Sequence, residues 1–186
     1  MHSLVVLTFQ NLLGALIYLL SGRAALAFFA PDGVASIFFF ASGLSLALII
    51  LAGYRYLGAI FIGAMALNTT FELPLLPSVL EAFGCSLAAA AGRWILKRRA
   101  DFDIHLPRLR DYLLVIGVAG VLSCLISASF GTLGLLWADF IPIADAGKTF
   151  LHWWMGDILG VILLTPLVMV WASKPLQPPP SKHVAE

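Results

Sequence analysis

The sequence predicts an all-α protein, a polytopic transmembrane helical bundle of about six spans with both termini cytoplasmic. Three observations carry that expectation. First, 61% of the 186 residues are hydrophobic, 11% are charged and the mean hydropathy is +0.98, whereas a soluble domain is about half apolar and a quarter charged. Second, the apolar residues come in blocks that suit a helix, which rises 1.5 Å per residue and needs roughly 20 residues to cross a ~30 Å hydrocarbon core. Third, the loop KRRADFDIHLPRLRD gathers Lys97, Arg98, Arg99, Arg108 and Arg110, and short loops rich in lysine and arginine stay cytoplasmic. The net charge of +1 gives no global basic field for nucleic acid.

The first span covers residues 4–29. Its start, MHSLVVLTFQNLLGALIYLL, has no basic n-region and no A-x-A-like exit, so it reads as a retained span rather than a cleaved signal peptide. The second and third spans cover residues 34–52 and 57–71. The segment ELPLLPS that follows has two prolines, which cannot continue a regular helix, and is expected to dip back into the membrane or form an irregular cap. The fourth span, residues 79–96, places Gly84, Ala88 and Gly92 four apart. The fifth, residues 112–137, does the same with Ser123, Ser127 and Gly131, and the sixth, residues 150–171, carries Gly156 and Gly160 as a GxxxG. Small residues let helices approach closely in lipid, so these ladders predict a compact bundle. Pro166 removes one hydrogen bond inside the sixth span and predicts a bend. Cys85 and Cys124 fall within spans as small hydrophobes.

Counting outward from the basic loop puts Arg55, Lys174 and Lys182 inside, and Asp32, Glu72, Asp139 and Asp145 outside with Lys148. Residues 1–173 then form the membrane module. Residues 174–186, KPLQPPPSKHVAE, read as a proline-rich cytoplasmic linker of polyproline II character, leading to an output region.

Charged groups inside the membrane mark candidate sites, because an ionised side chain at the bilayer centre costs ~2.5–3.5 kcal/mol on insertion scales. Asp157 lies about seven residues into the sixth span, roughly 10 Å deep by helical rise, below Trp153 and Trp154. Glu81 stands near the outer end of the fourth span on the face of Gly84 and Cys85. Asn68 ends the third span, His152 begins the sixth, and Arg23 lies near the outer end of the first. A polar cluster at the outer surface is expected, with Arg23 paired to Glu81 or Asp157. Such a pair could fix helix register, or the cluster could be a pocket for a ligand or a proton-responsive switch. There is no Walker loop, nucleophile elbow or metal-ligand spacing, so neither catalysis by this region, a metal nor a cofactor is expected.

Three stretches then carry a resemblance: ASGLSLALIILAGYRYLGAIFIGAMALN at 41–68, SVLEAFGCSLAAAAGRWILKRR at 78–99, and ISASFGTLGLL followed by FLHWWMGDILGVILLTPLVMVW at 150–171. Their order and character resemble MASE1, the membrane-associated sensor domain of bacterial histidine kinases and diguanylate cyclases. The WWxGDxxG…P signature is the most specific part. Trp153, Trp154, Gly156, Asp157, Gly160 and Pro166 match it by position, Asn68 matches the asparagine ending the third span, and Glu81 matches the acid of the fourth. The family has an aromatic–proline approach to the glycine corresponding to Gly43, where this chain reads FFFASG, and the family pattern often has more spans.

The resemblance implies a sensory input module in the bacterial inner membrane, multi-pass, homodimeric in its full-length form, and responsive to a small molecule or a membrane-protein partner. A small transporter or substrate-capturing component is the alternative, and it draws on the discontinuity expected at ELPLLPS.

Overall fold

The computed structural model describes residues 2–30 and 36–173, and every regular element among them is helical. In chain order these are α1 (His2–Phe29), α2 (Phe40–Ala52), a 3-10 turn (Tyr54–Tyr56), α3 (Leu57–Thr69), α4 (Leu75–Lys97), α5 (Leu109–Leu113), a π-helical segment (Leu114–Gly120), α6 (Val121–Trp137), a second 3-10 turn (Ile143–Asp145) and α7 (Ala146–Ser173). Residues 174–186, expected as a linker, lie outside the described residues, as does Asp32.

Helix α1 turns mainly small residues, with Tyr18, toward the bundle. Ala15, Tyr18, Gly22 and Ala25, spaced three or four apart, are buried, while Leu12, Leu16 and Leu20 face outward. In lipid the outer face gains nothing from being small, and the inner face packs best when it is. Helix α4 is the central element, with 50% of its apolar window buried against 11% for α1. It packs on α3 and α6, α2 packs on α7, and α1 covers α3.

Among the described residues, four helical runs are long and apolar enough to cross a membrane: Leu4–Phe29, Leu75–Lys97, Leu109–Trp137 and Ile143–Ala172. The second and third expected spans are shorter than the sequence predicts. Helices α2 and α3 have 13 residues each, roughly 20 Å at the helical rise.

The reason for the late start of α2 is the segment before it. Instead of coiling, residues 36–39 satisfy their backbone on neighbouring elements: Ile37 N–H donates to Phe29 O at 2.8 Å and Phe39 N–H to Gly156 O at 3.0 Å. The Ser36 hydroxyl donates to Ala25 O at 3.1 Å. Non-helical backbone at membrane depth is tolerated where protein buries it in this way. Its seat is the GxxxG of α7. A Cβ at Gly156 or Gly160 would collide with the carbonyl oxygens of Ser36 and Phe39, and one at Gly43 with the carbonyl of Gly160. The absent side chains therefore let backbone lie on backbone.

ELPLLPS also departs from expectation. Pro74 is the N-cap of α4 and Pro77 sits in its first turn, where a missing N–H removes no helical hydrogen bond. The prolines start the helix rather than interrupt the membrane crossing, so the feature behind the transporter alternative is gone. The expected fifth span is one continuous run with a π-helical stretch through LVIGVAG. Helix α7 continues through Pro166, and beside it Thr165 Oγ1 donates to Gly43 O at 2.8 Å, a further tie to α2.

At the opposite end of α2 the chain turns at Gly53, whose φ of 97° is in the region glycine favours. Arg93 of α4 reaches the last-turn carbonyls of α2, where Ile49 O also accepts from Gly53 N–H at 3.1 Å. The Arg93 guanidinium donates to Ile49 O and Ile50 O and lies over the Tyr54 ring, 5.3 Å from the centroid. This cationic cap also suits the negative end of the helix dipole.

Candidate functional site

Asp157 lies on α7 one residue after Gly156, the glycine that admits the 36–39 segment, so its carboxylate is carried into the centre of the bundle. It is 1% exposed. One oxygen accepts a hydrogen bond from Ser42 of α2 and the other from Ser127 of α6. A single carboxylate thus ties three helices together. Ser127 reaches it because the ladder Ser123, Ser127 and Gly131 lies on the buried face of α6.

Glu81 is 4% exposed and has the same kind of setting on α4. Asn68 Nδ2, at the end of α3, donates to its Oε2 at 2.7 Å. The Cys85 thiol, one turn along α4, donates to Oε1 at 3.1 Å. The expectation that Cys85 is merely a small hydrophobe is corrected by this contact. Cys124, also buried and free, packs within the apolar core of α2, α6 and α7.

Between the two carboxylates is a cavity of about 240 Å³. Asn68, Glu81, Trp153 and Asp157 line it, with Phe39 and Leu67 among its apolar walls. Trp153 is fixed by Gly131, where a Cβ would meet the indole at 2.6 Å. The lining comes from the start of α4, the ends of α1, α3 and α6 and the early part of α7. All of these lie at the end of the bundle away from the basic loop, since α4 runs from the cavity to Lys97. A smaller cavity of about 20 Å³ lies on the other side of Asp157, bounded by Tyr18, Ser42, Cys85 and Ser127. Asp157 belongs to both.

The structure gathers four of the seven polar and aromatic residues expected in the cluster. Arg23 is not among them. It is exposed on α1, and among the described residues the single ion pair joins Arg110 and Asp101, so the expected pairing of Arg23 with Glu81 or Asp157 is not formed. The side chain leaves the bundle because its neighbours Gly22 and Ala25 take the buried face of α1. His152 is half-buried and outside the cavity lining. Trp154 turns the other way from Trp153. It donates from Nε1 to Val121 O at 3.1 Å and stacks on Phe150 with ring centroids 6.4 Å apart. Gly84 is a packing position, where a Cβ would strike Phe130.

Sequence reasoning does not single out Ser42, Cys85 and Ser127 as carboxylate partners, nor Arg93 as a cap. The first two had a usable signal. Cys85 is four residues from Glu81 on the same face, and Ser42 precedes the glycine on which α7 rests. Arg93 had none, because its partners are backbone carbonyls far away in sequence.

The family model for MASE1 matches residues 10–186, nearly the whole chain. The chain belongs to the MASE1 family. Neither a curated protein nor a solved structure matches it. MASE1 is a family of membrane-associated sensor domains. In this MASE1 domain the WWxGDxxG stretch has divided work: Trp153 and Asp157 face the cavity, Trp154 braces α6, and the two glycines carry the 36–43 segment.

Proposed function

We propose that this MASE1 domain is a multi-pass sensory input module of the bacterial inner membrane, which receives a ligand or membrane partner at the Glu81–Asp157 cavity and passes the event through α7 to a cytoplasmic output region of histidine kinase or diguanylate cyclase type. The observation that carries this reading is the position of Asp157. It lines the cavity and at the same time holds α2, α6 and α7 through Ser42 and Ser127. A molecule that engages the carboxylate competes with those hydroxyls and so alters how α7 sits against its neighbours. Only a differential interaction with two packings shifts their populations, and a tenfold shift needs about 1.4 kcal/mol. Reorganising one buried, charge-assisted hydrogen bond is of that size.

The topology proposed with it has six passes and both termini cytoplasmic. Helix α2 is preceded by the bent residues 36–39, whose backbone is satisfied on α1 and α7, and this protein-buried, non-helical stretch continues the crossing beyond the ~20 Å of the helix. The basic loop then faces the cytoplasm and the cavity faces outward. A full-length homodimer and the linker role of residues 174–186 belong to the same proposal.

The test is a fusion of this domain, in native order, to a nucleotide-cyclase or kinase output region. Asp157→Asn is expected to change basal output about tenfold at unchanged membrane abundance, with Asp145→Asn giving wild-type output. Wild-type output from the Asp157→Asn fusion contradicts the proposal.

A further inference from the structure

The cavity is small and chemically one-sided. At about 240 Å³ it falls just below the ~300–1,000 Å³ of drug-sized ligand sites, which restricts it to a compact molecule. Phe39, Phe71, Phe140 and Trp153 supply aromatic wall, while its acidic groups are Glu81 and Asp157. Among the described residues no lysine, arginine or histidine lines it.

The carboxylates are held but not saturated. Each of their four oxygens receives one donor, from Asn68, Cys85, Ser42 and Ser127, and an ionised carboxylate oxygen accepts two. None of these donors carries charge. Two nearly fully buried carboxylates without a cation are costly in an apolar medium. An anion would add to that cost and a neutral hydrocarbon would leave it unchanged. A cation converts it into charge-assisted hydrogen bonds, and the aromatic faces attract the same charge.

We infer that the cavity between Glu81 and Asp157 binds a small organic ammonium ion, its N–H groups on the two carboxylates and its apolar body against Phe39, Phe71, Phe140 and Trp153. This rests on the sensory reading of the same site and names the chemical class of its ligand. Asn68 orients Glu81 of α4 from α3, and Ser42 and Ser127 orient Asp157 of α7 from α2 and α6, so the ammonium ion links five helices when bound.

The experiment uses the full chain in lipid nanodiscs and three probes of one size: phenethylamine, 2-phenylethanol and phenylacetate. Tryptophan fluorescence and calorimetry read the binding. The amine is expected to saturate at one per chain and to bind at least tenfold more tightly than the alcohol, and phenylacetate is expected not to bind. Glu81→Gln and Asp157→Asn are each expected to weaken the amine at least tenfold and leave the alcohol unchanged. Equal or tighter binding of the alcohol, binding of phenylacetate, no saturable binding of the amine, or undiminished amine affinity in both variants would each overturn the assignment. The comparison of the three probes on the wild-type chain does not depend on how the variants fold. Failure here with an altered output from the Asp157→Asn fusion removes the ligand class alone. An unaltered output from that fusion removes the sensory reading.

Discussion

Asp157 is the residue on which three helices agree. Truncating it to alanine takes the acceptor from the half-buried Ser42 hydroxyl and leaves Ser127 only its bond to Cys124 O at 3.2 Å, and loss of a hydrogen bond to a charged group costs about 1.5–3 kcal/mol. Asparagine is a milder change, because its amide oxygen still accepts and a serine hydroxyl can turn to accept from the amide nitrogen. Thermal unfolding in detergent is therefore expected to rank the chain as wild type, then Asp157→Asn, then Asp157→Ala with a loss of several degrees. Asp145→Ala, at an exposed position between α6 and α7, is expected to match wild type. Equal melting temperatures for Asp145→Ala and Asp157→Ala would contradict the bonding described here. The depth of Asp157 and Glu81 was legible in the sequence because an acid within an apolar block has few acceptable places to go. Asn68 was legible beside Glu81, whereas the pairing of Ser42 and Ser127 with Asp157 was not singled out. Serine and cysteine are ordinary in membrane helices, and which hydroxyl meets which carboxylate depends on how helices far apart in sequence come together. Arg23 fails for the related reason that nearness in depth does not set rotation about the helix axis.

Among the elements, the contact between α2 and α7 is the most demanding, since it brings backbone onto backbone. Gly160→Ala is expected to destabilise the chain by about 1–3 kcal/mol or more, the usual cost of overpacking, because its Cβ meets the Phe39 carbonyl and not a side chain that could move. Gly117→Ala is the contrasting case. Nothing lies within 4 Å of its Cβ position, and exchanging glycine for alanine within a helix is expected to be neutral or to gain roughly 0.5–1 kcal/mol. If both substitutions have the same effect on melting temperature, the glycine ladder is not the seat of residues 36–39. At the other end of α2, Arg93→Ala is expected to cost about 1.5–3 kcal/mol, typical of hydrogen bonds to a charged group. Arg93→Lys should recover part of that, since an ammonium still donates to the carbonyls but lacks the planar face that lies over Tyr54. Full retention of stability in Arg93→Ala, measured the same way, would exclude the cap.

The long elements could be read from hydropathy and length alone, and α1 and α7 begin and end close to the expected limits. The short ones could not. Residues 36–39 have the composition of a span but surrender their helical bonds to α1 and α7, while the prolines of ELPLLPS look like an interruption and instead open α4. The π-helical stretch through LVIGVAG has no local sequence signal that separates it from an ordinary helix. In each case the deciding term is where the backbone hydrogen bonds can be satisfied, which the packing sets and the local sequence does not.

At the scale of the whole molecule, the basic loop and the cavity occupy opposite ends of the bundle, so a topology that puts one inside puts the other outside. With Cys85 and Cys124 replaced, a cysteine at Arg99 is expected to resist an impermeant thiol reagent applied to intact cells and to react after lysis. Labelling in intact cells would invert the topology. The more central claim is that the carboxylates share a hollow walled by protein and shielded from acyl chains. Its most direct test is collisional quenching by brominated lipids in chains that retain one tryptophan each, Trp153 at the cavity or Trp137 at the exposed end of α6, where it is 68% exposed. Trp137 is expected to be quenched several-fold more strongly than Trp153, and equal quenching of the two would show that the cavity is open to lipid.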